Sequence, residues 1–202
     1  MMFEAFERNF PPDSNPDRIS IQSDVAGLGE FIGRFGGASF RRGLYRVVRA
    51  TEFQEWTTRL IYAFPAFQGR ITCFGYDWLG RAFAVDTQRP EGGRPGVVMF
   101  EPGTGQALEI PSNIESFHND ELGEFGEAAL AISFYHEWLA SGKPEPTYTQ
   151  CIGYRRPLFL GGKDELANLE LADLDVYWHI FGQIILKTRG LPSGTPVCVK
   201  LG

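Results

Sequence analysis

The middle of this chain contains four strand-like segments in succession, and their order restricts the folds open to it. GRITCFGYDW and RAFAVDT meet at Leu79-Gly80, and GVVMFE and ALEI meet at Pro102–Gly105. Glycines in such short connections permit the tight turns that join antiparallel neighbours. Consecutive strands joined in this way predict an antiparallel meander.

Segments with helical periodicity flank these strands. Apolar side chains recur at helical spacing in residues 51–64 and 126–142. Ser23 or Asp24 can cap a further helix at residues 25–35, which Gly36-Gly37 ends. Asp173 is placed to cap a last helix that runs to about residue 189. Helices at both ends with strands between them predict an α+β fold, in which an antiparallel sheet carries helices packed mainly on one face in a single compact unit.

The surplus negative charge is confined to one segment. The formal net charge is −6, yet residues 95–142 contain eight Asp and Glu and no Lys or Arg. Such a segment suits either a solvated acidic face or the binding of a cationic partner. Direct binding of nucleic acid is disfavoured, because phosphate contacts need clustered Lys and Arg.

Residues 114–127, IESFHNDELGEFGE, gather most of these carboxylates around His118. A capping box formed by Ser112 and Glu115 predicts that the stretch begins with a short helix. The residue types suit a metal site, an acid/base pair or a face for a basic partner. We treat the exposed carboxylates as candidate partner-binding residues, together with Asp77 at the β-hairpin tip: Glu115, Asp120, Glu121, Glu124, Glu127 and Asp77.

The sequence supports a catalytic function less well than partner binding. A metal-dependent hydrolase built on His118, Asp120 and Glu121 is an alternative, although their spacing matches no established ligand set. No G-x-S-x-G elbow and no Walker loop are present in the sequence. We therefore assign no catalytic residue, no metal and no cofactor.

Other features concern the compartment and the core. The three cysteines, Cys73, Cys151 and Cys198, are widely separated and are expected to be buried free thiols. Neither an export signal nor a membrane-spanning segment is apparent, so we expect a cytoplasmic protein with no membrane partner. The aromatic side chains of Tyr76 and Trp78, at the hairpin tip, are expected to pack back on the fold.

Long blocks of the sequence resemble a known family. FGGASFRRGLYRVV, CFGYDWLGRAFAVD, VVMFEPGTGQALEIP, SFHNDEL and YRRPLFLGGKDELANLELADLDVYWHIFGQI are similar to bacterial immunity proteins paired with type VI secretion DNase effectors. The resemblance implies a GAD-like region at residues 1–105 and a C-terminal immunity domain at residues 106–202, or one continuous fold of both modules. A looser similarity connects these proteins to Smi1/Knr4-like immunity folds.

The resemblance also implies a function. Such a protein is a non-enzymatic cytoplasmic inhibitor that binds the nuclease domain of its cognate secreted effector and prevents self-intoxication. An acidic surface complements the positive groove that a nuclease needs for DNA. Inhibition by blocking the groove and by distorting the nuclease both remain open, as does an alternative role as a scaffold or regulatory protein-binding module.

Overall fold

The computed structural model describes residues 2–192 and residue 195, so Cys198 lies outside the described residues. Six strands form one antiparallel sheet in the order β1-β2-β3-β4-β5-β6, which confirms the expected meander. A second sheet pairs β7 with β8. The strands are β1 Ser39–Phe40, β2 Tyr45–Val47, β3 Ile71–Asp77, β4 Ala82–Glu91, β5 Arg94–Glu101, β6 Gln106–Asn113, β7 Gln150–Tyr154 and β8 Leu169–Asp173.

Helices precede, interrupt and follow the sheet. They are α1 Glu4–Asn9, α2 Leu28–Phe35, α3 Phe53–Ala63, α4 Ile114–Ser116, a π-helix at Phe117–Glu121, α5 Leu122–Glu124, α6 Gly126–Leu130, α7 Ile132–Ala140 and α8 Leu174–Thr188. Short 3₁₀ turns lie at Pro65–Phe67, Leu158–Leu160 and Leu166–Asn168. Within the described residues, no helix is long and apolar enough to cross a lipid bilayer.

Helices contact both faces of the six-stranded sheet. Phe100 of β5 packs against Phe64 and Phe67, at and just beyond the end of α3. Phe83, which pairs with Met99 and therefore lies on the opposite face, packs against Phe117 of the π-helix. The α+β class is confirmed. The expectation of helices mainly on one face needs correction, because apolar side chains on both sides of the central strands are buried.

The boundary predicted after residue 105 falls in the turn between β5 and β6. Pairing continues across it, from Glu101 with Gln106 to Val97 with Ile110. The six-stranded sheet therefore takes strands from both predicted modules. The division into modules stays a prediction.

The helix N-cap predicted at Asp173 is confirmed, and the one predicted at Ser112 is not. Asp173 accepts hydrogen bonds from the backbone N–H groups of Asp175 and Val176 and caps α8, as expected. The capping box expected from Ser112 and Glu115 is wrong. Strand β6 continues to Asn113, so Asn113 becomes the cap and Ser116 its partner.

Candidate interaction surface

The predicted partner-binding carboxylates differ in how much of each reaches solvent. Asp120, Glu124 and Glu127 are exposed, whereas Glu115 and Glu121 are half-buried. They lie on the π-helix and the short helices beside it, within ten residues of one another except for Glu115. We call the group formed by Asp120, Glu121, Glu124, Phe125 and Glu127 the acidic surface.

Hydrogen bonding divides these carboxylates further. Glu127 accepts from the backbone N–H and the hydroxyl of Ser133, at 3.0 and 2.9 Å. The Ser112 hydroxyl donates to Glu121 at 3.4 Å. Among the described residues, the side-chain carboxylates of Asp120 and Glu124 have no hydrogen-bond or ion-pair partner. Their charges therefore remain open to a partner molecule.

Glu115 is already neutralised by its surroundings. It forms an ion pair with Arg94, the last basic residue before the acidic segment. This ion pair and its partial burial make Glu115 less available to a partner than Asp120 or Glu124.

Phe125 is a member of the acidic surface that sequence analysis missed. Its side chain is 56% exposed, the largest value among the exposed large apolar residues of the described chain. It lies between α5 and α6, directly after Glu124 and two residues before Glu127. The sequence feature that could have indicated this exposed ring is the isolated phenylalanine among glutamates and glycines in ELGEFGE. Periodicity alone does not tell whether such a ring points inward or outward.

His118 fixes the acidic surface to the core. The imidazole is 1% exposed and lies edge-on or tilted against the rings of Phe3, Phe6 and Phe31, at centroid distances of 5.8, 4.9 and 3.9 Å. A carbonyl only accepts, so Nδ1–H donates to Ile114 O at 2.7 Å and Nε2 accepts from the Tyr45 hydroxyl at 2.9 Å. Burial lowers the pKa of His118 to about 3, so the ring is neutral at physiological pH.

This geometry contradicts the alternative of a catalytic metal on His118, Asp120 and Glu121. Both imidazole nitrogens already have partners, and the buried ring lies beneath carboxylates that face solvent. The described residues also contain no group of three His, Cys, Asp or Glu side chains that could hold a metal ion.

Asp77 is not part of any surface, and its assignment as an exposed contact is wrong. The residue is 0% exposed. Its carboxylate accepts from the backbone N–H groups of Leu79 and Arg81 and from Nε of Arg81, at 3.0, 2.9 and 2.6 Å. The tight β3–β4 turn folds back on the protein, as was expected for Tyr76 and Trp78, which are also fully buried.

The Asp77–Arg81 pair positions the end of the acidic surface. Arg81 Nη2 donates to the carbonyl of Ala129 at 3.0 Å, and the indole N–H of Trp78 donates to Leu130 O at 2.8 Å. Both acceptors lie at the end of α6. The next residue, Ala131, has a φ of 49° and separates α6 from α7, where sequence periodicity predicted continuous helix.

The two described cysteines are buried free thiols, as expected. Burial raises the pKa of Cys73 to about 12 and raises that of Cys151 as well. Neither thiol is poised as a nucleophile, because nucleophilic cysteines need a lowered pKa and access to solvent.

Comparison with known proteins finds a family match for part of the chain. Residues 112–185 match the family model described as "T6SS immunity protein Tdi1, C-terminal". The match begins at the end of β6 and includes the acidic surface, β7, β8 and most of α8. No curated protein sequence matches the chain.

A solved structure shares the fold. The crystal structure of Atu4351 from Agrobacterium tumefaciens aligns with a TM-score of 0.58 at 14% sequence identity. The alignment covers 90% of this chain and 89% of that one. The similarity therefore extends across both the six-stranded sheet and the C-terminal segment.

We predict that Asp77→Ala strongly destabilises the fold. The substitution leaves the Arg81 charge buried without its partner, which costs about 3–5 kcal/mol. Guanidinium denaturation measures the loss, with Glu165→Ala on the surface as the control. A change within about 0.5 kcal/mol, typical of surface substitutions, would contradict a structural role for the pair.

We also predict that His118 makes stability depend on pH. In the unfolded chain, His118 becomes protonated near pH 6.5, whereas in the folded protein it stays neutral until the pH approaches its lowered pKa of about 3. Its contribution is therefore complete above pH 6.5 and is lost as the pH falls toward 3, by at most about 1.4 kcal/mol per pH unit. Urea denaturation measures the free energy of unfolding of wild type and His118→Gln. Between pH 7 and pH 5, the difference between the two proteins should shrink, because only wild type loses the contribution of His118.

Nuclear magnetic resonance gives an independent check that does not need the variant to fold. The ring signals of His118 should keep their neutral shifts down to pH 5, with the exposed ring of His136 as the reference. Parallel stability curves, or protonation of His118 near pH 6, would disprove the prediction.

Proposed function

From the match of residues 112–185 to a type VI secretion immunity family, we propose that this protein binds and neutralises a cognate DNase effector. The observation that carries the proposal is the acidic surface, which lies within the matched segment and combines the exposed ring of Phe125 with the carboxylates of Asp120 and Glu124, which have no partner among the described residues. The nuclease identity of the effector rests on charge complementarity and on the resemblance described above.

Electrostatics favours a cationic enzyme as the partner. Asp120 and Glu124 face solvent without a counter-charge among the described residues. A DNase must present a positive groove to the DNA backbone, and opposite potentials raise association rates by steering the encounter. A neutraliser benefits from this speed, because free toxin damages DNA until it is bound.

Phe125 is the proposed anchor of the complex. Protein interfaces draw most of their binding energy from a few aromatic side chains that are exposed when free and enclosed by polar residues when bound. Its 56% exposed ring and its flanking glutamates match this arrangement. The effector is therefore expected to offer an apolar pocket at the edge of a Lys- and Arg-rich groove.

The proposed function also implies a cellular compartment and a non-catalytic mode of action. A protein that protects DNA must meet the nuclease where the DNA is, so we place its action in the cytoplasm. The protein acts by binding and needs neither a catalytic residue nor a cofactor.

Co-expression with the toxin domain of the effector encoded beside this gene tests the function. Cells should survive and retain intact DNA, and the two proteins should purify as a complex. Failure to form a complex would refute the proposal and favour a scaffold or regulatory role. DNA that competes with this protein for the toxin domain indicates groove blocking, whereas a ternary complex without cleavage indicates distortion.

Two sets of variants separate the association rate of the complex from its dissociation rate. Asp120→Asn with Glu124→Gln should slow association by about tenfold at low salt and flatten its salt dependence. Phe125→Ala should instead speed dissociation, at a cost of about 2 kcal/mol or roughly 30-fold in affinity.

Matched controls are available on other elements. Glu165→Gln removes an exposed charge outside the acidic segment, and Tyr62→Ala removes an aromatic ring that is 52% exposed on α3. Stopped-flow and surface plasmon resonance measure the rates. If the controls weaken the complex as much as the acidic-surface variants, the binding site lies elsewhere.

A further inference from the structure

An apolar pocket lies between α7 and the turn that joins β1 to β2. Its volume is about 210 Å³. Ile132, Tyr135 and Leu139 form one wall, because their spacing places them on the same face of α7. Leu44 contributes to the opposite wall. The side chains of Ile132 and Leu139 are only half-buried, so apolar surface in the pocket remains open to solvent.

Two arginines of the β1–β2 turn border this pocket. Arg41 and Arg42 are exposed, and both have left-handed backbone, with φ of 50° and 63°. Contacts to other elements hold the turn in this conformation. The backbone N–H of Arg42 donates to Asp13, and the hydroxyl of Tyr135 donates to the carbonyl of Arg42. The mouth of the pocket is therefore fixed by the fold.

The two arginines differ in charge balance. Arg42 pairs with Glu145 at 2.6 Å. Arg41 lies 3.9 Å from the ring centroid of Phe10 and donates to the carbonyl of Asn9 at 3.2 Å. Neither of these contacts supplies a negative charge, and within the described part of the chain Arg41 has no carboxylate partner. The pocket thus combines an apolar interior with an unbalanced positive charge at its rim.

This combination indicates what kind of group fits the pocket. An apolar cavity of roughly 150 Å³ can take up benzene, so about 210 Å³ has room for a phenyl ring. The positive rim favours a ring with a carboxylate beside it. Phe125 has both properties, since its ring is 56% exposed and it directly follows Glu124.

Phe125 and the pocket lie side by side on the surface. Phe125 directly precedes Gly126, and a Cβ atom added to Gly126 would lie 3.0 Å from Cδ1 of Ile132 in the pocket wall. A projecting ring and a matching pocket in one patch make that patch complementary to itself. Such complementarity is the requirement for a dimer with two-fold symmetry, in which the same patch contacts itself.

We infer that two copies of this chain form a two-fold dimer in which Phe125 of each copy enters the pocket of the other. In this arrangement Glu124 of one copy faces Arg41 of the second copy, and each unbalanced charge gains an opposite one. The inference rests on the geometry of this patch and not on the identity of any effector. Where an effector also binds Phe125, the dimer and the effector complex exclude each other, and the dimer keeps the exposed ring covered until the effector arrives.

Sedimentation velocity over about 1–500 μM protein tests the dimer, because this range includes the dissociation constants of small, weak interfaces. Wild type should change from monomer to dimer as the concentration rises. Phe125→Ala removes both anchors of a two-fold dimer, so the dissociation constant should rise by about 30-fold for each anchor, or roughly 10³-fold in all. Tyr62→Ala removes a 52% exposed ring on α3 and should leave the dissociation constant unchanged.

Charge reversal tests the exchange of the two rings. Glu124→Lys and Arg41→Glu each place like charges at both contacts, so each variant alone should be monomeric. In a mixture of the two variants, both contacts of the heterodimer again join opposite charges, and the dimer should return. Glu165→Lys and Arg155→Glu, at exposed positions elsewhere on the surface, are the charge-matched controls.

Three outcomes would overturn the inference. The first is a wild type that stays monomeric over the whole concentration range. If Arg41→Glu then weakens the effector complex, the pocket belongs to the effector instead. The second is a dimer that Phe125→Ala does not weaken, which would place the interface elsewhere. The third is a mixture of the two charge-reversal variants that stays monomeric, which would exclude the exchanged contact.

Discussion

The neutral, doubly hydrogen-bonded imidazole of His118 is the contact on which the arrangement of the C-terminal half depends. One nitrogen is bonded to the backbone of α4 and the other to Tyr45 in the sheet, while phenylalanines from α1 and α2 surround the ring. A buried polar group with both partners in place fixes one geometry, because any shift would leave a donor or acceptor unpaired at a cost of about 1–3 kcal/mol. The π-helix is thereby held against the sheet, and its exposed carboxylates keep their positions.

Buried and exposed charges have different tasks in this protein. Asp77 and Arg81 are buried, satisfy each other and hold the end of α6 through Ala129 O. Asp120 and Glu124 have no such partners among the described residues, and their mutual repulsion is a modest cost that a cationic partner would relieve. On the proposed function, the rigid internal pair preorganises the surface that meets the partner, and such preorganisation favours tight binding.

Sequence reasoning succeeded where local rules decide the structure. Turn glycines predicted the meander, and Asp173 predicted the start of α8, because both depend on a few neighbouring residues. It failed where distant contacts decide. Asp77 was placed at an exposed tip because its burial depends on the packing of the turn against α6, even though its own hydrogen-bond partners, Leu79 and Arg81, are close in sequence. Phe125 was overlooked because the same local pattern suits an inward or an outward ring, and only the assembled helices determine its direction.

The pairing of β5 with β6 also bears on how such proteins diversify. The hydrogen-bond ladder joins residues 94–101 to residues 106–113, so strands from both halves of the chain complete one another. Loss of the C-terminal half would leave the edge of β5 bare and prone to aggregation, and a half exchanged from a relative would have to supply a strand that pairs with β5 in the same register. On the proposed function, new partner specificity is easier to reach through point changes on the short helices around Phe125, because these changes leave the pairing of β5 with β6 intact.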